Sequence, residues 1–279
     1  MSSPLYRKAL IIGATSGIGE AFAAKLVSTG TPVLIVGRRK DRLDSFVQTH
    51  GAEKVTAIQF DVTDLAGIPA FTKSVLAAHP DIDSVVVNSG IQRAFDFTKP
   101  ESLDLDGIGL EVSTNYLSAV HLTSAFLPHL KSLGPERRGY LVYISATLGL
   151  IPSLIRTPNY NASKAALHTF LMSIRQQLKE DPTHSYDNVR LVEVFPPAVQ
   201  TELHDTKHQP DLVNGGEIGM PLGEFTEKLF EGLKGDEEQF AIGPGEKLLG
   251  EGGWETQRQQ LFQVQNQLVQ GNLSKYIRK

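Results

Sequence analysis

Within "NYNASKAALHTF" a tyrosine and a lysine stand four residues apart, Tyr160 and Lys164. If the segment is helical, that spacing turns both side chains to one face. A free phenol has a pKa near ~10, too high for easy proton exchange at neutral pH, and an ammonium beside it lowers that value. The pair could therefore give a proton to a carbonyl oxygen, or take one from an alcohol. Just upstream, "YISATLGLIPSLIRTP" offers further hydroxyls that could steady the same oxygen. Neighbouring side chains on an extended strand face opposite ways, so Ser145 and Thr147 share a face that Ala146 does not. Loss of such a donor would remove ~2 to 4 kcal/mol of transition-state stabilisation if it acts as an oxyanion-hole donor does.

A second cluster lies near the N-terminus, where "GATSGIG" places Gly13, Gly17 and Gly19 after an apolar run and before an amphipathic one, with Thr15, Ser16 and Ile18 between and beside them. Glycines there let the chain turn and let its backbone approach a pyrophosphate, while the helix start supplies amide donors and a positive dipole end. After the next apolar run the sequence reads Gly37, Arg38, Arg39. A carboxylate at that point would bind the ribose hydroxyls of NAD(H); two guanidinium groups instead suit a 2′-phosphate, so NADP(H) is the expected cofactor.

These groups need a scaffold, and the hydrophobic pattern supplies one. Short β-type runs occur at 8–13, 32–37, 55–60, 84–88, 140–145, 189–195 and 239–243, with amphipathic stretches starting near Ile18, Asp41, Leu65, Leu105, Asn161 and Pro221. Strand and helix alternate, so the fold class is α/β, a single-domain doubly wound (Rossmann) parallel sheet of about seven strands with helices on both faces. Residues 1–279 read as one domain. Residues 196–220, rich in proline, glycine and polar residues just after a strand, form the expected substrate lid. In the tail, 254–270, Leu261, Val264 and Leu268 fall at helical spacing on a glutamine-rich background, to pack on the chain's own domain or to join subunits. Leu150, Ile151, Leu154 and Ile155 suggest an apolar pocket wall.

Composition narrows the partners. A net charge of −4 gives no basic field for nucleic acid or an anionic membrane, so a small-molecule substrate is expected. The absence of cysteine removes a disulfide framework, a thiolate metal site and a cysteine nucleophile together. No apolar run is long enough for a signal-peptide core or a membrane span, and the protein is expected in the cytoplasm. His204 and His208 stand four apart but in the lid with no third ligand, so no metal site is assigned.

Taken together, the Gly13, Gly17, Gly19 spacing and the later tyrosine and lysine resemble the short-chain dehydrogenase/reductase family over nearly the whole chain. Within it, "PPAVQTELHD" with "GMPLGEFTEKLFEGL" resembles the branch described as oxidoreductases related to D-alanine esterification. The resemblance implies that Asp61 and Val62 contact the adenine and that Asn88, Ser89 and Gly90 replace the family's Asn-Asn-Ala-Gly, with Val87 at the first asparagine. It further implies that Val199 and Thr201 touch the nicotinamide carboxamide, with Pro196 in the cofactor site beside them and Pro197 replacing a glycine. Lys164 would reach the ribose hydroxyls, and Asn115 would hold a water linking it to solvent. The family's catalytic serine is the second of Ser-Ser-x-x-Gly. Anchored on Gly149 it falls on Ala146, whereas counted back from Tyr160 it falls on Thr147. Three readings stand: Ser145 or Thr147 supplies the hydroxyl, with Ser145 placed slightly ahead, or the group is absent. Family members pair as homodimers or homotetramers through two long helices, here near 105–130 and 160–180. The expected activity is NADPH-dependent interconversion of a carbonyl and an alcohol; the alternative is an NADP(H)-binding protein without redox turnover.

Overall fold

The computed structural model describes residues 4–134, 137–183, 185–273 and 276. Its first half runs β1 (Ala9–Ile12), α1 (Gly17–Ser28), β2 (Val33–Gly37), α2 (Lys40–His50), β3 (Val55–Gln59), α3 (Ile68–Ala78), β4 (Ser84–Val87), α4 (Leu105–Val112), α5 (Ser118–Ser132) and β5 (Gly139–Ile144). The second half runs α6 (Pro158–Glu180), α7 (Ser185–Asn188), β6 (Val189–Phe195), α8 (Leu222–Lys234), β7 (Gln239–Ala241), α9 (Glu246–Leu249) and α10 (Trp254–Leu273).

The strands form one parallel sheet in the order β3-β2-β1-β4-β5-β6-β7. Period-two alternation divides β1 between two cores. Ala9 and Ile11 pack with Phe22 and Leu26 of α1 and Phe225 and Leu229 of α8. Leu10 and Ile12 pack on the other face with Phe71 of α3, Phe126 of α5 and Leu171 of α6. Strands buried on both faces read as apolar runs, which is why the inner strands stand out in the sequence, whereas the edge strands β3 and β7 are only partly buried. The chain winds outward from β1 in both directions, so a crevice opens beyond the carboxyl ends of β1 and β4.

The helix expected to run from Leu105 is interrupted. Between α4 and α5 lies a π-helical turn, Ser113–Leu117, in which Thr114 and Asn115 are buried. The lid segment has short 3₁₀ turns at Glu202–His204 and Gly215–Glu217, and it folds back on itself through mutual backbone hydrogen bonds that bring Val199 beside Met220.

The tail lies against its own domain, but not through the apolar stripe that the sequence singled out. α10 lies along α6 through polar groups: Arg258 donates to Thr169, Gln263 to Gln176 and Asn266 to Glu180. Leu261, Val264 and Leu268, read as packing on the chain's own domain or joining subunits, are 60, 54 and 57% exposed in the single chain. Glutamines meeting the polar outer face of α6 set that orientation.

At the root of α10, His168 of α6 is enclosed between two carboxylates, with Nδ1 2.8 Å from Glu193 Oε2 and Nε2 3.0 Å from Glu255 Oε1. Burial alone would push the imidazole down, but the charge and hydrogen bonds of Glu193 and then Glu255 raise it to about 9. Burial would push Glu255 up, yet the His168 hydrogen bond and charge hold it below the usual glutamate range. The imidazolium's contribution is fully present below its unfolded value of ~6.5 and is lost as pH rises through about 9. That of Glu255 is lost as pH falls below its ordinary carboxylate range. Thermal unfolding is accordingly expected to show a stability maximum between these limits. His168→Leu leaves two buried carboxylates facing each other and should cost about 3 to 5 kcal/mol in denaturant unfolding, with α10 becoming protease-sensitive.

Candidate active site

A cavity of about 770 Å³ occupies the crevice at the switch of strand order. Its floor is the loop between β1 and α1. Gly13 has φ 87°, where side chains are rare, and a Cβ there would sit 2.7 Å from the Ser89 amide nitrogen. Gly17 has φ 57° and faces Thr201. Gly13, Thr15, Ser16, Gly17 and Ile18 all line the wall, whereas Gly19 lies behind it. A Cβ on Gly19 would be 2.2 Å from the Gly13 carbonyl, so its function is to let α1 approach β1 closely. No side chain caps α1, which leaves its first-turn amides free to meet an anion. Asn88 Nδ2 donates to the Gly13 carbonyl at 2.8 Å, a tie that binds β4 to this loop although Val87 occupies the preceding position. The cradle thus has the shape and donor set of a pyrophosphate site.

At one end of the cavity stand Arg38, Arg39, Asp61 and Val62. Arg38 Nη1 is 3.6 Å from Asp61 Oδ2. Arg39 donates to Thr15 Oγ1 through Nε and Nη2, at 3.1 and 3.0 Å, and to Ser16 Oγ through Nη2 at 2.6 Å. Its Nη1 reaches Glu202 Oε2 at 2.7 Å, and Arg42 Nη2 reaches the other oxygen of Glu202 at 3.1 Å. Burial would raise the Glu202 carboxyl, but the hydrogen bond and charge of Arg39 hold it below its ordinary value. Sequence reading missed Glu202 and Arg42. Arg39 and Glu202 lie 163 positions apart, so no spacing rule could pair them.

The other end holds Tyr160 and Lys164, 6 and 3% exposed, on one face of α6. Lys164 Nζ donates to the Ile144 carbonyl at 2.9 Å and lies 5.7 Å from the Tyr160 ring centroid. Burial pushes the Tyr160 phenol up, and the nearby Glu111 carboxylate adds to the rise. Burial also brings Lys164 down to about 8, opposed by Glu193. In this arrangement burial, with Glu111, sets the direction of the phenol, upward from its ordinary value. Glu111, which sequence reading also missed, is fully buried, accepting from the Arg93 amide at 3.0 Å and from Asn159 Nδ2 at 2.6 Å.

Asn115 does not line the cavity. Its Nδ2 donates to the Ile91 carbonyl and to Ser163 Oγ, and its Oδ1 accepts from the Ile91 amide, so it pins the loop after β4 to α6 beside Lys164. Ser145 and Thr147 both border the cavity, with Ala146 between them. The Ser145 hydroxyl is enclosed and has no partner among the described residues. Thr147 is less buried, and its Oγ1 makes only a long 3.4 Å contact with the Pro196 carbonyl. Thr147 is the more accessible of the two hydroxyl residues. Asn88, Ser89, Gly90, Pro196, Val199 and Thr201 complete the wall. Of the apolar run only Leu154 faces the cavity: Leu150 packs with Phe195 and Ala241, and Ile151 and Ile155 point to solvent.

In the lid, His208 Nδ1 pairs with Asp205 and His204 rests beside Gln209. Among the described residues no group of three or more potential ligands could hold a metal, and no helix is long and apolar enough to cross a membrane.

Comparison with known proteins agrees with this geometry. The family model described as short chain dehydrogenase matches residues 7–211. An uncharacterized oxidoreductase, DltE of Bacillus subtilis, is 31% identical over 83% of this chain and 86% of its own. The NADP-dependent 3-hydroxy acid dehydrogenase YdfG of Salmonella typhi is 31% identical over 61% of this chain and 65% of its own. Among solved structures, an alcohol dehydrogenase from the archaeon Thermococcus sibiricus, complexed with 5-hydroxy-NADP, superposes with a TM-score of 0.69 at 25% identity, covering 85% of this chain and 96% of that one.

Proposed function

The chain belongs to the short-chain dehydrogenase family, and from that membership we propose that it is an NADPH-dependent oxidoreductase interconverting a carbonyl and an alcohol on a small metabolite. The observation that carries this reading is the opening of Tyr160 and Lys164 into the same cavity as the glycine loop. Gly13, Thr15, Ser16, Gly17 and Ile18 would hold the pyrophosphate, Arg38 and Arg39 the 2′-phosphate, and Asp61 and Val62 the adenine. Asn88, Ser89, Gly90, Pro196, Val199 and Thr201 would flank the nicotinamide half, with Lys164 at its ribose. When bound, NADPH supplies a hydride. Tyr160 Oη gives its proton to the carbonyl oxygen as the carbon is reduced. Asn115 fixes the loop beside Lys164, through which the phenol is reprotonated. The same reading places the enzyme in the cytoplasm as a homodimer or homotetramer.

Thr147 donates a hydrogen bond to the substrate oxygen. Thr147→Val should lower kcat about a hundredfold with NADPH binding retained, by analogy with loss of an oxyanion-hole donor, whereas Ser145→Ala should change it far less. Stopped-flow reduction measures both, and the reverse ranking would return the role to Ser145.

Ala146, which falls on the family's serine position when the motif is anchored on Gly149, favours one second reading, NADP(H) binding without turnover. Oxidation of NADPH against a panel of aldehydes, ketones and oxo acids separates the two. Carbonyl-dependent consumption is expected; tight NADPH binding with no consumption across the panel would favour the second reading.

A further inference from the structure

The charges around the cavity divide by sign and by end. Among its described lining residues only Asp61 and Glu202 are carboxylates, and both are paired at the adenosine end with Arg38, Arg39 and Arg42. The end beyond Tyr160 carries Arg93, Arg156 and Lys207 and no lining carboxylate. Arg156 is matched by Asp211 and Gln209 of the lid. Among the described residues, the guanidinium of Arg93 makes no ion pair or side-chain hydrogen bond, although the residue is half-buried. A half-buried guanidinium that makes no hydrogen bond leaves five donors to be met by water or by a ligand anion.

Its position is fixed. The Arg93 amide donates to Glu111 Oε1, and the other oxygen of that buried carboxylate accepts from Asn159, the residue immediately before Tyr160. The same stretch of chain is held two residues earlier by Asn115, which closes both hydrogen bonds of the Ile91 peptide groups. One carboxylate thus ties the backbone that carries Arg93 to the start of the helix that carries the acid. Glu111 is near enough for its charge and that of Arg93 to attract, but no hydrogen bond or ion pair joins its oxygens to the guanidinium among the described residues.

We propose that Arg93 recognises a carboxylate on the substrate, so that the compound reduced is a short oxo acid and the product a hydroxy acid. The inference rests on the oxidoreductase reading and narrows its substrate class. A guanidinium presents paired N–H donors in the geometry of a carboxylate, and an anchored acid would bring its carbonyl to Tyr160 in a fixed orientation. Lys207, exposed on the lid, adds a cation at the rim that draws anions into the cavity.

The test compares pyruvate, acetoacetate and levulinate, each beside its methyl ester, at low salt. For at least one pair the acid should exceed the ester in kcat/KM by about tenfold or more, mainly through KM. In Arg93→Gln the ratio should fall to about one, and Arg93→Lys, which keeps the charge without the fork, should restore part of it. Equal use of acid and ester by the wild type, or a preference that survives in Arg93→Gln, would overturn the proposal while leaving the oxidoreductase reading intact. Thermal stabilisation of the NADPH-bound protein by each acid reads the anion contact without turnover. A shift with acid over ester that vanishes in Arg93→Gln supports the proposal even if no carbonyl is reduced. Equal shifts in wild type and variant count against it.

Discussion

Tyr160→Phe is expected to lower carbonyl-dependent NADPH oxidation by about 10²- to 10⁴-fold, the range that a positioned general acid contributes, while the NADPH dissociation constant stays within about threefold. The substitution removes one oxygen from a side chain that is 6% exposed, so the ring packing that holds α6 is retained. What is lost is the one proton-bearing group that α6 presents to the cavity beside Lys164. Because burial and Glu111 push the phenol up, it is fully protonated across the neutral range before chemistry begins. Reduction should therefore be insensitive to pH where alcohol oxidation, which needs the phenolate, accelerates as pH rises. Stopped-flow rates in both directions, with fluorescence titration of NADPH, measure this. Equal rates in wild type and variant would remove Tyr160 from the chemistry.

The second large effect concerns the cofactor. In Arg38→Ala/Arg39→Ala the preference for NADPH over NADH should fall by about 10²- to 10³-fold, since charge-assisted hydrogen bonds contribute about 1.5 to 3 kcal/mol each. Only the phosphorylated cofactor should weaken strongly. Glu202 supplies an internal check of opposite sign. Its carboxylate already occupies Arg39 at 2.7 Å and Arg42 at 3.1 Å, so a 2′-phosphate must compete with it. Glu202→Gln should then tighten NADPH several-fold and change NADH little, with the difference shrinking as salt rises. Parallel losses for both cofactors in the arginine variant would show that the pair serves the loop through Thr15 and Ser16 rather than a phosphate.

Much of the scaffold was legible because it depends on short-range pattern. The inner strands are largely buried and their boundaries follow from apolar runs such as Val33–Gly37, whereas in Val189–Phe195 the buried Arg190 and Glu193 interrupt the run. Gly13 and Gly17 were readable because turns demand backbone freedom, and Tyr160 and Lys164 because one helix carries both. Features made by distant partners were not readable. Glu202 meets Arg39 and Glu111 meets Asn159 only after the chain has crossed the sheet. The engagement of Asn115 with Ile91 and Ser163 was not readable, because it lies in a π-helical turn that pattern alone reads as a continuous helix. In the tail, pattern did not settle which face meets the domain. An apolar stripe normally faces inward, yet the polar groups of α6 take the glutamine face of α10. Ser145 and Thr147 share a strand face in principle, but the chain leaves extended geometry at Thr147, where a 3₁₀ turn begins, and their exposures differ.

The most direct measurement follows isotope from cofactor to metabolite. NADPH carrying deuterium at the transferable position is incubated with the protein and an extract of its native cells, beside a Tyr160→Phe control, and products are searched by mass for the label. A metabolite alcohol that gains one deuterium with the wild type and not with the variant is the expected result, and it would identify the substrate. Bound NADPH that passes no label to any metabolite, in an extract where a known reductase labels its own product, would contradict hydride transfer as the function of this site.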